Sequence, residues 1–211
     1  YAHSIRVYLT PKVSDIIVRN GETLHLFDTP LLLCRNYGLN IGQRFAKRTL
    51  DLVVSVLMFI VASPFMLVTA IAIKAYDKGP VLFKQKRLTI DGKEFYVYKF
   101  RSMIVDAEKD GKSQPAADHD PRITPVGRVL RATRLDELPQ LIDILIGNMS
   151  LVGPRPERVE HVEKYTEDLA EFEYRLKVRG GLTGYAQIYG KYNTSPYDKL
   201  QLDLIYIQNY S

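Results

Sequence analysis

Residues 52–73 read LVVSVLMFIVASPFMLVTAIAI and contain no charged side chain. The run is about 22 residues long, and about 20 apolar residues are enough for a helix to cross a bilayer. A helix buried in a soluble protein normally keeps a polar face, and this run has none. Lys47 and Arg48 precede it, and Lys74 and Lys78 follow it. The sequence therefore predicts a helix that inserts into a membrane.

A Ser63-Pro64 step lies in the middle of this run. Proline inside a helix removes one hydrogen bond and clashes with the carbonyl of Ile60, so we expect a kink or a break. Ser63 can strengthen the bend by hydrogen bonding to a carbonyl one turn earlier. Each half, about 11 residues, is too short to cross alone, and basic residues at both ends give no preferred direction. Two arrangements remain open from these features: a re-entrant helix–break–helix and a kinked spanning helix.

Composition narrows the class of protein. The 211 residues are 46% hydrophobic and 25% charged, which excludes global disorder. The single cysteine, Cys34, excludes an internal disulfide, and the four scattered histidines show no zinc-binding spacing. The net charge of +5 is compatible with phosphate groups, anionic lipid or nucleic acid and does not choose among them.

The chain divides into three regions. Residues 1–40 contain short β-rich runs separated by turn formers, which cannot form a stable domain alone. Residues 41–78 contain the membrane run, and residues 79–211 remain for a compact core. Because the chain begins at Tyr1 without an initiator methionine, we interpret it as a piece of a longer polypeptide.

Within the core, Asp91-Gly92 predicts a tight turn between two β-rich runs. The glycine- and proline-containing residues 104–121 predict a loop. The remaining predicted elements are strands over 81–88, 94–100 and 185–189, and helices over 126–134, 138–146, 157–177 and from residue 197 onward.

The most suggestive segment for chemistry combines arginines with adjacent carboxylates. Arg128 and Arg131 are three residues apart and share a helical face. Asp136 and Glu137 lie in the first turn of the predicted helix that contains Pro139. Since adjacent carboxylates point in different directions, one can attack phosphorus while the other binds Mg²⁺ or handles a proton. The alternative is plain N-terminal capping with solvated ion pairs.

A second candidate is Arg155, which lies between Pro154 and Pro156. Both prolines restrict the backbone and keep this residue out of an α-helix. The fork of a rigidly held arginine suits a diphosphate. The alternative is a stiff turn with an exposed arginine.

Two further basic segments complete the candidates. Lys99 and Arg101 alternate with aromatic residues along a predicted strand and share one face. Such interleaving can bind single-stranded RNA, but no RNA-binding signature is present and the adjacent membrane helix argues against nucleic acid. The basic segment from Arg175 to Arg179 precedes Gly180-Gly181, where backbone N–H groups can close a phosphate pocket.

Taken together and in this order, the segments resemble the bacterial sugar transferase family of monotopic polyprenyl-phosphate phosphoglycosyl transferases. Each motif is short, but their co-linear order is specific. The matching stretches are KRTLD (47–51), SP (63–64), GPV (79–81) with Lys84, Gln85 and Arg87, YKFRSM (98–103), DPRIT (120–124), LDELPQ (135–140), MSLVGPRP (149–156) and LTGYAQ (182–187). Residues 1–40 resemble the end of the regulatory domain that precedes the catalytic part in longer members.

The resemblance implies a mainly helical α+β fold. Its parts would be a re-entrant membrane helix that breaks at Ser63-Pro64, amphipathic interfacial helices and a small β-hairpin on a compact catalytic core. It also implies a monotopic protein of the bacterial inner membrane, with its active site on the cytoplasmic face and a possible homodimer of the full-length chain.

The resemblance further implies that Asp136 is the nucleophile, attacking the sugar-linked phosphorus of a UDP-sugar and releasing UMP. The resulting phosphosugar ester would pass to a polyprenyl (undecaprenyl) phosphate, in the first membrane step of exopolysaccharide, capsule or O-antigen synthesis. Glu137 would coordinate Mg²⁺, and galactose and glucose are the expected sugars. Arg131 and Arg155 match the phosphate-binding arginines of the family. The basic segments add four further candidates for phosphate or substrate binding: Lys99, Arg101, Arg128 and Arg179.

Two departures from the family pattern carry expectations. Arg179-Gly180-Gly181 replaces a basic residue, proline and glycine, so we expect a looser loop there. Arg134 stands where a small polar residue is more usual, and we expect altered phosphate contacts. Two other functions stay open: a transferase that needs both substrates bound before any UMP appears, and a non-catalytic adaptor that would tolerate Asp136→Asn.

Overall fold

The computed structural model describes residues 22–26, 29–33, 39–105, 107, 120–190 and 194–209. Strands β1 (Glu22–Leu26) and β2 (Thr29–Leu33) form an antiparallel hairpin, in which Glu22 faces Leu33. This hairpin accounts for two of the β-rich runs in the first forty residues. The earlier runs, and most of the loop predicted over 104–121, lie outside the described residues.

The membrane run forms the central part of one long helix, α1 (Ile41–Asp77). The helix begins with a reciprocal capping box, in which Asn40 and Gln43 each accept a hydrogen bond from the backbone N–H of the other. It continues without interruption through Pro64, and the Ser63 hydroxyl donates to the carbonyl of Ile60 at 2.8 Å. Its 37 residues correspond to a length of roughly 55 Å.

One face of α1 packs on the rest of the molecule and the other does not. The buried positions recur at helical spacing: Asp51, Ser55, Ala62, Thr69 and Ile73. The opposite face exposes large apolar side chains, and only 11% of the most apolar 18 residues is buried. A core helix of a soluble protein would be mostly covered. The length, composition and exposure of α1 are therefore those of a membrane-inserted helix.

The predicted hairpin is confirmed. Strands β3 (Leu82–Leu88) and β4 (Glu94–Phe100) pair antiparallel along their whole length. Their connection contains a short 3₁₀ turn, in which Asp91 and Gly92 adopt left-handed backbone angles (φ 56° and 70°). These are the angles that an Asp-Gly dipeptide accommodates most easily.

The remaining core is mostly helical, as expected. Its elements in chain order are α2 (Pro125–Thr133), a 3₁₀ turn (Leu135–Glu137), α3 (Gln140–Ile146), β5 (Met149–Val152), α4 (Val159–Asp168), a 3₁₀ helix (Ala170–Lys177), β6 (Gly180–Thr183), α5 (Tyr185–Ile188) and α6 (Pro196–Gln208). The helix predicted over 157–177 is thus divided at Leu169, whose backbone is not helical (φ −147°, ψ 88°).

The strand predicted over 185–189 is wrong, because these residues form α5. The strand lies just before them: β6 pairs in parallel with β5, with Gly180 opposite Met149. The sequence pattern does not indicate this strand, because it begins with two glycines and glycine is depleted in strands.

The expectation of a loose loop at Gly180-Gly181 is also wrong. A Cβ on Gly181 would lie 2.1 Å from the backbone nitrogen of Gly153, and one on Gly180 would lie 2.4 Å from Cγ of Pro156. The two glycines therefore allow a close contact between backbones that larger residues would prevent.

Two apolar clusters join α1 to the core. The hairpin cluster consists of buried residues of β4, α3 and β5, with Phe59 of α1 packed against it: Phe95, Val97, Leu141, Ile144 and Met149. The clasp cluster consists of Ile73, Phe100 and Leu130, so it joins α1, β4 and α2. A third cluster, around Phe172 and Leu200, lies between α4, the second 3₁₀ helix and α6.

Candidate active site

The adjacent carboxylates lie on a 3₁₀ turn between α2 and α3. The turn follows Arg134, whose backbone is left-handed (φ 60°). Leu135 packs against the clasp cluster, and Leu138 packs against both the clasp and the hairpin clusters. Because apolar side chains are anchored on both sides of the pair, the directions of Asp136 and Glu137 are fixed by packing.

Glu137 is clamped by two cations. Lys99 of β4 donates to its Oε1 at 2.9 Å, and the Arg155 guanidinium contacts both carboxylate oxygens, with Nη1 at 3.3 Å from Oε2. Burial alone would raise the pKa of Glu137, but the hydrogen bonds and charges of Arg155 and Lys99 outweigh it and lower the pKa to about 2. Glu137 is therefore ionised at any physiological pH.

Asp136 differs from Glu137 in its partners and in the direction of its pKa shift. It is 9% exposed, and no side chain of the described residues donates a hydrogen bond to its carboxylate. Burial raises the pKa of Asp136; Lys99 opposes this rise, the negative charge of Glu137 adds to it, and Arg131 opposes it. The two neighbouring carboxylates thus differ: Glu137 is paired with two cations, and Asp136 has no side-chain donor among the described residues.

The predicted arginines separate into two groups. Arg131 donates through Nε to the hydroxyl of Ser102 at 2.8 Å, and its charge acts on Asp136. Arg128, on the same helix, is exposed and lies outside the group around the carboxylates. Arg179 is also exposed, and it lies near Lys47: burial lowers the pKa of Lys47, Asp51 opposes this, and the charge of Arg179 lowers it further.

Lys99 and Arg101 have different partners, although the sequence predicts a shared face. The strand ends at Phe100, so the alternation does not extend to Arg101. Lys99 reaches Glu137, whereas Arg101 forms an ion pair with Asp77 at the end of α1. The structure therefore brings together Lys99, Arg131 and Arg155 around the Asp136–Glu137 pair.

The backbone around Arg155 is non-helical, as predicted from its flanking prolines. Its carbonyl accepts a hydrogen bond from Arg175 at 3.0 Å, and Arg175 is paired with Asp203 of α6 at 2.8 Å. Glu157 adds ion pairs with Arg175 (3.4 Å) and Lys199 (2.7 Å). This buried network supports the Arg155 loop from behind.

Sequence reasoning missed that network. Its members are distant along the chain from the carboxylate pair. The one available signal was Asp203, a single acidic residue between Leu202 and Leu204 in an otherwise apolar stretch. A charge in such a position is normally paired when buried.

The N-terminal half of α1 is tied to the elements on either side of the site. Arg48 donates to the carbonyls of Ile144 and Leu145 at 2.7 and 2.9 Å, at the C-terminal end of α3. Asp51 accepts hydrogen bonds from the Ser150 hydroxyl (2.8 Å) and the Leu151 backbone N–H (3.1 Å) in β5. Helix α3 follows Glu137, and β5 leads to Arg155, so α1 braces both.

Adjacent carboxylates are ligands of the kind that a magnesium ion takes, although both oxygens of Glu137 are engaged here by Lys99 and Arg155. Mg²⁺ in phosphate-transfer sites is usually held by one or two carboxylates, with phosphate oxygens and water completing its shell. Asp136 and Glu137 supply two carboxylates at one place. Within the described part of the chain, no group of three or more histidine, cysteine, aspartate or glutamate residues is placed to hold a metal ion.

The fold and the site define a membrane-associated protein with a paired carboxylate and cations suited to phosphate. The family model described as bacterial sugar transferase matches residues 42–211. The chain belongs to the bacterial sugar transferase family.

Three relatives extend the comparison. The chain is 45% identical over 191 residues to the UDP-glucose:undecaprenyl-phosphate glucose-1-phosphate transferase of Klebsiella pneumoniae, covering 88% of this chain and 39% of that protein. It is 42% identical over 210 residues to the UDP-N-acetylgalactosamine-undecaprenyl-phosphate N-acetylgalactosaminephosphotransferase of Aeromonas hydrophila (98% and 49%). It is 35% identical over 226 residues to the undecaprenyl-phosphate galactose phosphotransferase of Salmonella typhimurium (99% and 46%). The chain thus spans less than half the length of these relatives.

Proposed function

We propose that this chain carries the catalytic centre of an enzyme that transfers a sugar 1-phosphate from a UDP-sugar to a polyprenyl (undecaprenyl) phosphate, releasing UMP. Family membership and the names of the relatives support this substrate class. The observation that carries the proposal is the difference between the two adjacent carboxylates. Glu137 is paired with Lys99 and Arg155, whereas the buried Asp136 carboxylate accepts no side-chain hydrogen bond from the described residues.

The proposed reaction has two displacements at one residue. An Asp136 oxygen attacks the sugar-linked phosphorus, and the bond from that phosphorus to the bridging oxygen breaks, so that UMP leaves with the electron pair. An oxygen of the polyprenyl phosphate then attacks the same phosphorus. The aspartyl oxygen leaves as carboxylate, and the product is a polyprenyl diphosphate sugar. Each step exchanges one phosphorus–oxygen bond for another and needs no external oxidant or reductant.

The cations supply what a carboxylate nucleophile needs. A carboxylate approaches a diphosphate against negative charge, so the charge of the phosphate must be offset. Lys99, Arg131 and Arg155 converge on the carboxylate pair, and the arginine forks suit phosphate oxygens. Glu137 would hold Mg²⁺ beside the donor phosphates, where the ion would neutralise developing charge.

We propose that α1 is re-entrant and bends at Ser63-Pro64. A helix that spans a bilayer places its ends on opposite sides of a hydrocarbon layer about 30 Å thick. Both ends of α1 instead contact the same core: Arg48 and Asp51 reach α3 and β5, and Asp77 reaches Arg101. Basic residues at both ends agree with this topology, because positive charge favours the cytoplasmic side.

The catalytic core then lies on the cytoplasmic face of the inner membrane. Val129 and Ile146 are exposed apolar residues on two helices that contact α1, and their side chains would lie at the interface. The relatives are about twice as long as this chain. The additional length of the relatives leaves room for the regulatory domain to which we propose residues 1–40 belong, and the homodimer of the full-length protein stays a prediction.

The experiment uses detergent-purified protein, Mg²⁺ and a panel of UDP-sugars, without lipid, and measures intact mass. The proposal predicts a sugar-phosphate adduct with at least one donor, and none with Asp136→Asn. UDP-glucose, UDP-galactose and UDP-N-acetylgalactosamine are tested separately, so the reactive donor identifies the sugar. UMP release that requires polyprenyl phosphate, with no adduct from any donor, would replace the covalent mechanism with a ternary-complex transferase. Absence of both adduct and UMP release would favour an adaptor.

A further inference from the structure

We infer that Asp77, at the end of the membrane helix, is a positioning residue for Arg131 and acts on it through Arg101 and Ser102. The inference rests on the proposed function. On this inference α1 has two roles: it anchors the enzyme in the membrane, and its packing on the core determines the position of the Arg131 side chain.

The first link is the ion pair between Asp77 and Arg101. Asp77 Oδ1 contacts Arg101 Nη2 and also accepts the backbone N–H of Gly79 at 3.1 Å. The Arg101 side chain is 7% exposed, and its Nε and Nη1 have no hydrogen-bond partner among the described residues. Asp77 therefore supplies the charge that keeps this guanidinium in place, because an unpaired buried arginine would move toward water.

The second link is Ser102, the next residue. Its hydroxyl accepts from Arg131 Nε at 2.8 Å, and its carbonyl accepts from the backbone N–H of Thr124 at 3.1 Å. Thr124 caps the N-terminus of α2, the helix that carries Arg131. Ser102 thus holds both the arginine side chain and the start of its helix.

The backbones of Ser102 and α2 are closely packed. A Cβ on Gly127 would lie 1.9 Å from the Ser102 carbonyl oxygen, so the helix backbone lies directly on this residue. The clasp cluster binds the same three elements on the apolar side, through Ile73, Phe100 and Leu130. A displacement of Arg101 is therefore transmitted to Ser102 and α2.

The ion pair and the apolar cluster have different effects. The cluster stabilises the packing of α1, β4 and α2 without fixing a direction, whereas the ion pair and the Ser102 hydrogen bond are directional. Arg131 acts on Asp136 by charge, and a misplacement of about 1 Å near a reacting centre can slow a reaction about 100-fold. The predicted consequence of losing Asp77 is a slower chemical step.

The test separates rate from folded fraction. Wild-type protein, Asp77→Asn and the control Glu94→Gln are mixed with Mg²⁺ and the reactive UDP-sugar, and adduct is followed by quenched intact mass. The amplitude counts competent sites and the rate constant reports the chemistry. Glu94 is a suitable control, because it forms a half-exposed ion pair with Lys86 far from α2. We expect Asp77→Asn to react about tenfold or more slowly with an amplitude near that of wild type, and Glu94→Gln to match wild type.

A second comparison tests the route. In an Arg131→Ala background, Asp77→Asn should cause no further loss of rate, since the effect passes through the missing side chain. Arg101→Lys keeps the charge but loses the guanidinium fork. Arg101→Lys should slow adduct formation less than Asp77→Asn does, and this slowing should also vanish in the Arg131→Ala background. It replaces Asp77→Asn in the comparison if that variant does not fold.

The outcomes distinguish the inference from the proposed function. A lower amplitude with an unchanged rate would reduce Asp77 to a stabilising residue and overturn the inference alone. Full additivity with Arg131→Ala would do the same. If wild type forms no adduct but releases UMP with both substrates, the same comparison is made on single-turnover UMP release. If wild type does neither, the proposed function fails and the inference fails with it.

Discussion

Asp143→Asn should stabilise the protein at alkaline pH and leave it with a flatter pH dependence. Asp143 lies on α3 and is fully buried. Its Oδ2 accepts the backbone N–H of Tyr98 at 3.2 Å, and its Oδ1 has no partner among the described residues. Burial raises the pKa of Asp143 to about 6, and the hydrogen bond from Tyr98 opposes only part of that rise.

The magnitude follows from linkage. The folded-state pKa of about 6 lies roughly two units above the usual 3.8, and one unit corresponds to about 1.4 kcal/mol. Because the pKa of Asp143 is higher in the folded than in the unfolded state, folding favours the protonated carboxyl. The contribution of Asp143 to the unfolding free energy is therefore fully retained below about pH 4 and is lost as pH rises through about 6. The carboxyl therefore costs about 3 kcal/mol at pH 8 relative to its protonated form.

Asparagine keeps the shape and the acceptor for Tyr98 but does not titrate. Its amide NH₂ replaces the orphaned Oδ1 and is itself unpaired, which costs about 1–2 kcal/mol. The expected net gain at pH 8 is about 1–2 kcal/mol, and at pH 4 the variant should be less stable than wild type by a similar amount.

Chemical unfolding in detergent at pH 4, 6 and 8 measures this difference, with Asp168→Asn as an exposed control. Asp168 lies at the end of α4 and should show little change at any of these pH values. A change in unfolding free energy for Asp143→Asn that is the same at all three pH values would refute the reasoning. Such a result would mean that the buried carboxyl does not change its proton occupancy on folding.

Four further outcomes are expected. Gly181→Ala should lower the unfolding free energy by about 2–3 kcal/mol in chemical denaturation, since its Cβ would lie 2.1 Å from the Gly153 nitrogen. Arg134→Asn should raise the melting temperature slightly, by relief of about 0.5–1 kcal/mol of left-handed backbone strain, without slowing adduct formation. Ser150→Ala should cost about 1–2 kcal/mol in the same denaturation experiment, because it removes a donor from the buried Asp51 carboxylate. Chelation of divalent ions should abolish adduct formation measured by intact mass, and added Mg²⁺ should restore it.

The sequence predicts those parts of the fold that depend on local pattern. The Asp91-Gly92 turn, the two strands beside it and the helices around the carboxylate pair all follow from periodicity and turn residues. Strand β6 could not be predicted in this way, because Gly181 lies against Gly153 and Gly180 against Pro156, and both partners are distant in sequence. Long-range packing, rather than propensity, decides such a strand.

In the candidate site, too, local sequence pattern predicts some features, and long-range contacts decide others. Asp136, Glu137 and Arg155 could be singled out because their neighbours restrict the local backbone. The separation of Lys99 from Arg101 could not, since it depends on where β4 ends and on Asp77 reaching the second residue. A strand pattern gives the face on which a side chain lies, but not its ion-pair partner.

Helix α1 connects a face suited to the membrane with both sides of the candidate site. Hydropathy identifies α1 as a membrane helix. The apolar residues responsible for this are mostly exposed and do not indicate where the candidate site lies. Its connection to the core lies instead in the few polar residues near its ends. Asp51 holds β5 on one side, and Asp77 holds Arg101 on the other. Since β5 leads to Arg155 and Arg101 precedes the partner of Arg131, each end of the helix braces one arginine of the site. Asp51 and Arg101 are buried in these contacts, and hydrogen bonds and ion pairs are directional, so they fix where each end of α1 meets the core in a way that apolar packing alone would not.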